Sequence, residues 1–379
     1  WAPDRLEIEC LADTLPVAAG MDVQLQDSLQ RIANSGYRRI LVDMSEVIRI
    51  GAWTGIQRVV RNIFIGLHQL ACDTRTFTLE PIYVNDQGVR FGRSFVREHL
   101  GLSIHGDDDV VSFESDDLLL MLDSSWISPQ RFEPMYQDLR DRGGEIVWVV
   151  YDLVPILMPE VCHEQMCPIF SVWLDNVAAH SDGCVCISRS TEQDLISHFK
   201  TIVPDGQSRP WTRHFHLGSD LESGRVSTPS ESTIKLTDRL RSQGYCLALS
   251  TVEPRKDHKT ILAAFELLWS EGVSLPLVIV GKQGWNIEAL AEQLRTHESY
   301  GERLFWIEQA GDGDVAHLIS NATCLVQASL AEGFGLAVAE AGSKGVPLFL
   351  SDLDVFREIA GKDAAYFPVR DHRALAGAL

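Results

Sequence analysis

Glu332-Gly-Phe-Gly-Leu-Ala-Val-Ala-Glu340 sets two carboxylates eight residues apart around a glycine pair, and the apolar run Cys324-Leu325-Val326 precedes it. The order reads as a buried strand, a loop and then a helix from Leu336 to Lys344. Free amides at a helix N-terminus attract phosphate oxygens, and glycine lets a ligand approach the backbone. With about 1.5 Å of rise per residue, Glu340 lies roughly 8 Å along the helix from Gly335, a nucleotide-scale distance. A sugar at Glu332, a diphosphate at Phe334 to Leu336 and a ribose at Glu340 fit that spacing. Two surface glutamates on a solvated helix fit it equally well.

Outward from this segment, near-continuous apolar strands alternate with helical patterns along most of the chain. This is the pattern of a parallel sheet covered on both faces. In the first half strands are expected at 39–45, 79–84, 117–122, 145–150 and 183–187, with helices at 56–70, 131–142, 163–180 and 190–200. The helix at 56–70 carries apolar residues at Ile56, Val59, Val60, Ile63, Phe64, Leu67 and Leu70. Residues 222–233 are polar and serine-rich, which is linker composition. The alternation then restarts, with strands at 245–249, 275–280, 304–307 and 324–327 and helices at 257–271, 286–296 and 314–320.

The expected organisation is an N-terminal extension (1–37, with one helix at 22–34), a first Rossmann-like domain (38–221), a linker (222–243) and a second Rossmann-like domain (244–379). Its fold class is α/β, with a ligand cleft between the two halves at the carboxyl ends of their strands. At 379 residues each half is large enough for its own core.

The net charge of −20 argues against a nucleic-acid partner and against wholesale adhesion to anionic lipid. Arg38, Arg39, Arg49, Arg58 and Arg61 read as a solvated basic face. No apolar run reaches the roughly 18 to 20 residues that span a bilayer. No signal-peptide pattern opens the chain, and its first residue is Trp1 rather than Met. It therefore reads as a piece of something longer. Its eight cysteines form no CxxC pair. They read as small buried hydrophobes in a reducing compartment, with no metal site among them.

Further segments sit at expected strand ends. Ser250-Thr-Val-Glu-Pro-Arg-Lys256 follows the first strand of the second half and puts Arg255 and Lys256 beside the next helix. Arg offers a fork and Lys a point charge, together a clamp for a departing diphosphate; an exposed basic turn is the plainer reading. Gly51-Ala-Trp-Thr-Gly55 is a second glycine-containing helix entry, with Thr54 and Gly55 facing the cleft and Trp53 as either a contact or a hydrophobic cap. Asp152, in Tyr151-Asp-Leu-Val-Pro155, can accept a bond from a sugar hydroxyl or cap the turn before proline. Gly281-Lys-Gln-Gly-Trp285 offers Lys282 to phosphate and Trp285 as support. Gly311-Asp-Gly-Asp314 has the wrong spacing for a dinucleotide fingerprint and reads as a turn capping a helix at Val315, with Asp314 as the cap.

Taken together, these segments resemble the retaining nucleotide-sugar glycosyltransferases of family 4, which have the GT-B fold. The resemblance is strongest over 245–368: Glu253-Pro-Arg-Lys256, Val280-Gly-Lys-Gln-Gly-Trp285, Gln327-Ala-Ser-Leu-Ala-Glu332 running to Glu340, and Gly345-Val-Pro347 with Ser351. A weaker likeness covers 40–220, through Thr54-Gly-Ile-Gln-Arg58, Tyr151 to Pro155, Cys186-Ile-Ser188 and His216-Leu-Gly-Ser-Asp220. It implies that Glu332 contacts donor-sugar hydroxyls, that Glu340 holds the ribose diol, and that Arg255 with Lys256 neutralises the diphosphate. It also implies donor-binding places for Ser250, Gly281, Lys282, Gly333, Phe334, Gly335, Leu336, Thr54 and Gly55, and a catalytic place for Asp152. Neither cofactor nor catalytic metal is implied, and attack occurs on the same face as departure, a donor phosphate oxygen helping to take the acceptor proton.

Tyr151 stands where many members have histidine, so no histidine role is carried over there. Ala337 stands where members usually have proline or a comparable residue after Gly-Phe-Gly-Leu. The family's closing helix, which crosses back onto the first domain, is expected to be missing here or supplied differently. The variants around Thr54 and Tyr151 resemble bacterial O-antigen and capsule enzymes, mannosyltransferases among them. The implied protein is a cytoplasmic enzyme at the inner face of the membrane. It takes mannose from GDP-mannose to a glycan or lipid-linked glycan, with other domains of a larger polysaccharide synthase as expected partners. The competing reading is a catalytically silent module that binds glycan or scaffolds a partner enzyme.

Overall fold

In the computed structural model the described residues are 38–51, 55–204, 206, 208–219 and 228–379. The helix expected at 22–34, together with Trp53, Thr54, Asp220 and the start of the expected linker, lies outside them. The first sheet has seven strands: β1 (Arg38–Asp43), β2 (Phe77–Asn85), β3 (Gly88–Phe91), β4 (Leu118–Met121), β5 (Glu145–Val150), β6 (Gly183–Cys186) and β7 (Trp211–His214). Their spatial order is β3-β2-β1-β4-β5-β6-β7, and every pair is parallel except β2 with β3. The second sheet has six: β8 (Cys246–Leu249), β9 (Leu277–Val280), β10 (Leu304–Ile307), β11 (Cys324–Gln327), β12 (Leu348–Ser351) and β13 (Ala364–Phe367). They run β10-β9-β8-β11-β12-β13, all parallel. Two doubly wound α/β domains of the GT-B type result.

The strand cores explain the sequence pattern. Leu277-Val-Ile-Val280 is buried along its whole length, as a strand covered on both faces must be. Helices complete the layers. Val59, Val60 and Phe64 are buried from the helix Ile56–Thr74, whereas Leu70, assigned to the same stripe, is 47% exposed. The helix His258–Ser270 buries Ile261, Leu262, Phe265 and Leu268 against the second sheet.

Several readings are corrected. β3, β7, β12 and β13 were not among the expected strands. β3 returns from β2 by a tight hairpin that pairs Asn85 with Gly88. Residues 231–240, inside the expected linker, form a helix capped by the Ser230 hydroxyl, whose Leu236 and Leu240 pack into the second core. The helix read as starting at Val315 begins at Asp312. Asp314 lies in its first turn and reaches back to accept the Gly311 amide at 3.0 Å. Cys184, Cys186, Cys246 and Cys324 are buried as expected, but Cys72 is exposed. The basic face dissolves into pairs: Arg38 with Glu145, Arg39 with Asp117, Arg49 with Glu46 and Arg58 with Glu340, while Arg61 is buried. No helix among the described residues is long and apolar enough to cross a membrane.

Each strand order reverses at one place, between β1 and β4 in the first sheet and between β8 and β11 in the second. Loops leaving a sheet at such a point diverge and open a crevice. In the first sheet two buried acids stand there. Asp43 Oδ1 accepts the Ser45 hydroxyl at 2.5 Å and its amide at 3.1 Å, while Oδ2 has no partner among the described residues. Burial, reinforced by the Asp123 charge, pushes the Asp43 carboxyl up to about 8.

An acid whose folded pKa is raised binds its proton better folded than unfolded. Stability is therefore lost as pH rises from the ordinary aspartate range near 4 towards 8, at up to about 1.4 kcal/mol per pH unit. Asp43→Asn keeps an acceptor for Ser45 and removes this loss. Thermal unfolding at pH 5 and pH 8.5 should show the variant gaining several degrees on the parent between the lower pH and the higher. A difference that does not change with pH would refute the buried-acid account.

Candidate functional site

The loops after β8 and β11 flank the switch point of the second sheet, and they hold Arg255, Lys256 and Glu332. After β8, Pro254–Lys256 form one turn of 3-10 helix. Asp257, in the left-handed region, then caps the helix His258–Ser270 by accepting the Thr260 amide. Arg255 and Lys256 therefore stand just ahead of that helix rather than in it. The Leu330 amide donates to the Arg255 carbonyl at 2.8 Å and ties the two loops together.

Their side chains form one cluster. Glu332 accepts Arg255 Nη1 at 2.9 Å, Ser329 Oγ at 2.7 Å and the Lys256 ammonium. Arg255 also donates to Glu253 Oε1 at 3.0 Å and to the Ala331 carbonyl at 3.1 Å. Burial alone would raise the Glu332 carboxyl, but the Lys256 and Arg255 charges outweigh it and bring it down to about 2. Burial lowers Lys256, with Arg255 repulsion adding to the effect. Two cations and two carboxylates thus balance inside a shielded pocket. The sequence reading had assigned Glu332 and the Arg–Lys pair to separate parts of a ligand.

Around this cluster, Gly281 has φ +147°, and a Cβ there would stand 1.9 Å from the Ser250 carbonyl oxygen. Gly281 therefore lets the ends of β8 and β9 close on each other. Ser250 Oγ lies 3.5 Å from His258 Nε2, and burial followed by the Lys256 charge brings that histidine down to about 3. Lys282 is exposed at the rim.

The segment 333–335 crosses to the first domain. A Cβ on Gly333 would lie 1.9 Å from the Tyr151 carbonyl oxygen, so only glycine passes there. The Gly333 carbonyl accepts Ser188 Oγ at 2.7 Å and Thr191 Oγ1 at 3.2 Å. Phe334 packs with Tyr151, Ile187 and Leu217 in a first-domain cluster and is 4% exposed. Gly335, at φ +99°, opens the helix Leu336–Ser343. From that helix Glu340 reaches Arg58 Nη2 at 3.2 Å, across the domain boundary. Burial raises the Glu340 carboxyl, and Arg58 opposes the shift.

On the first domain's side, Asp152 Oδ1 accepts the Val154 amide at 3.0 Å, the turn-capping role. Burial raises its carboxyl against the opposing Arg255 charge. Tyr151 turns its hydroxyl away to the Leu122 carbonyl, 2.7 Å distant.

A cleft of about 1010 Å³ runs between the domains, and Gly55, Asp152, Ser250, Arg255, Lys256, Gly281, Lys282, Glu332 to Leu336 and Glu340 all line it. Thr54 lies outside the described residues. Arg58 was read as solvated but lines the same cleft. Glu358 was not singled out at all. It accepts the Arg189 amide at 2.7 Å, the Ser190 amide at 3.0 Å and His216 Nε2 at 2.5 Å, a second clasp between the domains. The partners of Arg58 and Glu358 lie so far off in sequence that no local pattern could pair them.

Residues 239–379 match the family "Glycosyl transferases group 1". The chain is 34% identical over 341 residues to an Escherichia coli "Serotype-specific mannosyltransferase WbdA", covering 87% of this chain and 39% of that protein. It spans about two fifths of the length of such relatives. Over 127 residues it is 36% identical to the E. coli "O-antigen chain mannosyltransferase B", 32% of each chain. Among solved structures, Anabaena HepE in complex with UDP and glucose superposes with a TM-score of 0.58 at 14% identity, covering 90% of this chain and 88% of that one. The E. coli "Trehalose-6-phosphate" structure bound with UDP-2-fluoro glucose gives 0.59 at 12%, covering 90% of each. At these identities the likeness is one of fold, and the fold is GT-B.

The Gly333 crossing yields a direct test. Gly333→Ala must push the Tyr151 backbone away, an overpacking that costs about 1–3 kcal/mol. Gly66→Ala, in open space on the helix Ile56–Thr74, is the control. Gly333→Ala should lower the melting temperature and increase the radius of gyration in X-ray scattering, and the control should do neither. An unchanged radius would show that the domain contact does not depend on this glycine.

Proposed function

We propose that this chain, whose residues 239–379 form a group 1 glycosyl transferase domain within a GT-B fold, transfers a hexose with retention from a nucleotide diphosphate sugar to a glycan or lipid-linked glycan. Mannose from GDP-mannose is the first choice of donor, supported by relatives that are named mannosyltransferases. Surface polysaccharide synthesis at the inner face of the membrane is the proposed setting.

The observation that carries this reading is the pairing of Arg255 and Lys256 with Glu332 inside the interdomain cleft. An arriving diphosphate competes with Glu332 for both cations. Their charge then stabilises the leaving group as the bond from the sugar's anomeric carbon to phosphate breaks. Glu332, released in part, turns its oxygens to donor-sugar hydroxyls. Glu340 exchanges Arg58 for the ribose diol. The acceptor oxygen bonds to the anomeric carbon on the face the phosphate leaves, and its proton passes to a phosphate oxygen. Asp152 Oδ2, which accepts no hydrogen bond among the described residues, holds an acceptor or donor hydroxyl. Positive charge from two side chains serves the leaving group without a metal in this scheme.

A donor panel of GDP-mannose, UDP-glucose, UDP-galactose, UDP-N-acetylglucosamine and dTDP-rhamnose, with acceptors, should release nucleotide fastest from GDP-mannose. No release from any donor, together with no thermal shift from GDP or UDP, would favour the silent glycan-binding module. Glu332→Ala should cut turnover at least 100-fold with GDP affinity largely kept. Its melting temperature should fall without ligand, because two buried cations lose a partner, and GDP should raise it by about as much as in the parent, as a kept affinity requires. Glu340→Ala should weaken GDP binding about tenfold, the worth of a hydrogen bond to a charged group. Wild-type activity in both variants would refute these roles.

A further inference from the structure

A second cavity, of about 320 Å³, opens beside the cleft. Trp126, Phe170 and Met166 of the first domain and Trp285 of the second wall it, and it shares Tyr151, Asp152, Arg255 and Trp285 with the larger cleft. Trp126 stands edge-on to Tyr151, with ring centroids 5.8 Å apart, and to Trp173 at 5.6 Å. The indole of Trp173 is fixed in turn by Ser125 Oγ at 2.9 Å. Trp285 Nε1 donates to the Val161 carbonyl at 3.4 Å, so the pocket is completed across the domain boundary.

Close-packed interiors leave few voids larger than a water molecule. With about 30 Å³ per liquid water, this space equals roughly ten waters, and its aromatic walls offer them few hydrogen bonds. Such poorly held water is readily displaced by a ligand.

We propose that this pocket seats the terminal sugar ring of the acceptor; the acceptor role rests on the glycosyl transfer proposed above. A sugar ring has the required two-sided chemistry. Its C–H face is apolar and weakly positive, which suits the negative face of an aromatic ring. Its hydroxyl rim needs polar partners, and these gather at the end shared with the cleft: Asp152, whose Oδ2 accepts no hydrogen bond among the described residues, and Arg255. A hydrocarbon chain would cover those charged groups without bonding them, at a desolvation cost. The shared wall also puts a ring in this pocket next to the space where the donor's anomeric carbon is placed.

Two variants approach the pocket from different walls. Met166→Trp fills it, and Trp126→Leu removes one platform; an unchanged melting temperature marks each as folded. Saturation-transfer NMR with methyl α-D-mannopyranoside, methyl α-D-glucopyranoside and methyl α-D-galactopyranoside should show ring C–H contact in the parent for at least one. The signal should fall at least tenfold in a folded variant, and the acceptor KM should rise at least tenfold with a smaller change in kcat. The proposal is overturned if the parent contacts none of the glycosides. It is also overturned if folded Met166→Trp keeps the signal, or if n-octyl phosphate displaces the glycoside through its alkyl chain alone. A glycoside signal that Met166→Trp abolishes, in a protein that releases nucleotide from no donor, would keep the sugar seat and remove the transfer reading. The two failures are therefore distinguishable.

Discussion

The backbone of Gly333 passes so close to the Tyr151 carbonyl that no side chain fits between them, and the side of the cleft that faces the first domain is built around that contact. At this crossing the residue before Gly333 and the residue after it turn to opposite domains. Glu332 turns back to Arg255 and Lys256 at the end of β8, and Phe334 enters the first domain's core. Gly335 then takes the left-handed conformation that starts the helix Leu336–Ser343, which carries Glu340 to Arg58. Spacing that looks like a one-dimensional motif is the trace of a chain crossing from one domain to the other and back.

Charge balance explains why the cluster can exist without ligand. Arg255 and Lys256 are shielded from water, and unpaired ions there would cost several kcal/mol each. Glu253 and Glu332 remove that cost by direct contact. The arrangement is closer to a stored charge than to a source of stability, since buried ion pairs roughly cancel against their desolvation. An anionic ligand that replaces Glu332 finds the desolvation of both cations already met. The same reasoning accounts for the low position of Glu332 and the raised position of Glu340. Glu332 is in direct contact with two cations, whereas Glu340 meets Arg58 across a wider gap, and the Lys344 charge adds a smaller opposing effect.

Much of this was legible in the sequence because the informative strands are buried on both faces and so appear as short apolar runs. The bounds expected for β5, β10 and β11 coincide with those observed. β3 and β7 lie at the edges of their sheet. β7, Trp211-Thr-Arg-His214, has an exposed tryptophan and no apolar alternation, so it carries no strand signal. The helix 231–240 was hidden by its serines and threonines, which favour turns when read locally yet here cap the helix and line its buried side. At the site, the residues at strand ends could be singled out one by one. What could not be read was which of them touch: Glu332 sits on Arg255 from 77 residues away, and Arg58 on Glu340 from 282.

The clasps between the domains differ in weight. The His216–Glu358 pair is half open to water, with His216 51% exposed, and exposed pairs contribute about 0–1 kcal/mol. The Arg189 and Ser190 amides that Glu358 accepts would find water instead if the domains parted, so their net worth is also small. Phe334, almost wholly buried in the opposite core, is worth about 1.5–3 kcal/mol. The strongest hold on the first domain therefore lies in the same loop that positions Glu332. Opening the domains withdraws Phe334, frees the Gly333 carbonyl from Ser188 and Thr191, and separates Glu340 from Arg58. The charged cluster of Arg255, Lys256 and Glu332 lies wholly within the second domain and needs none of those contacts. Domain opening thus dismantles the side of the site that faces the first domain and leaves the cation pair assembled, which makes that pair the part of the cleft able to meet an anion first.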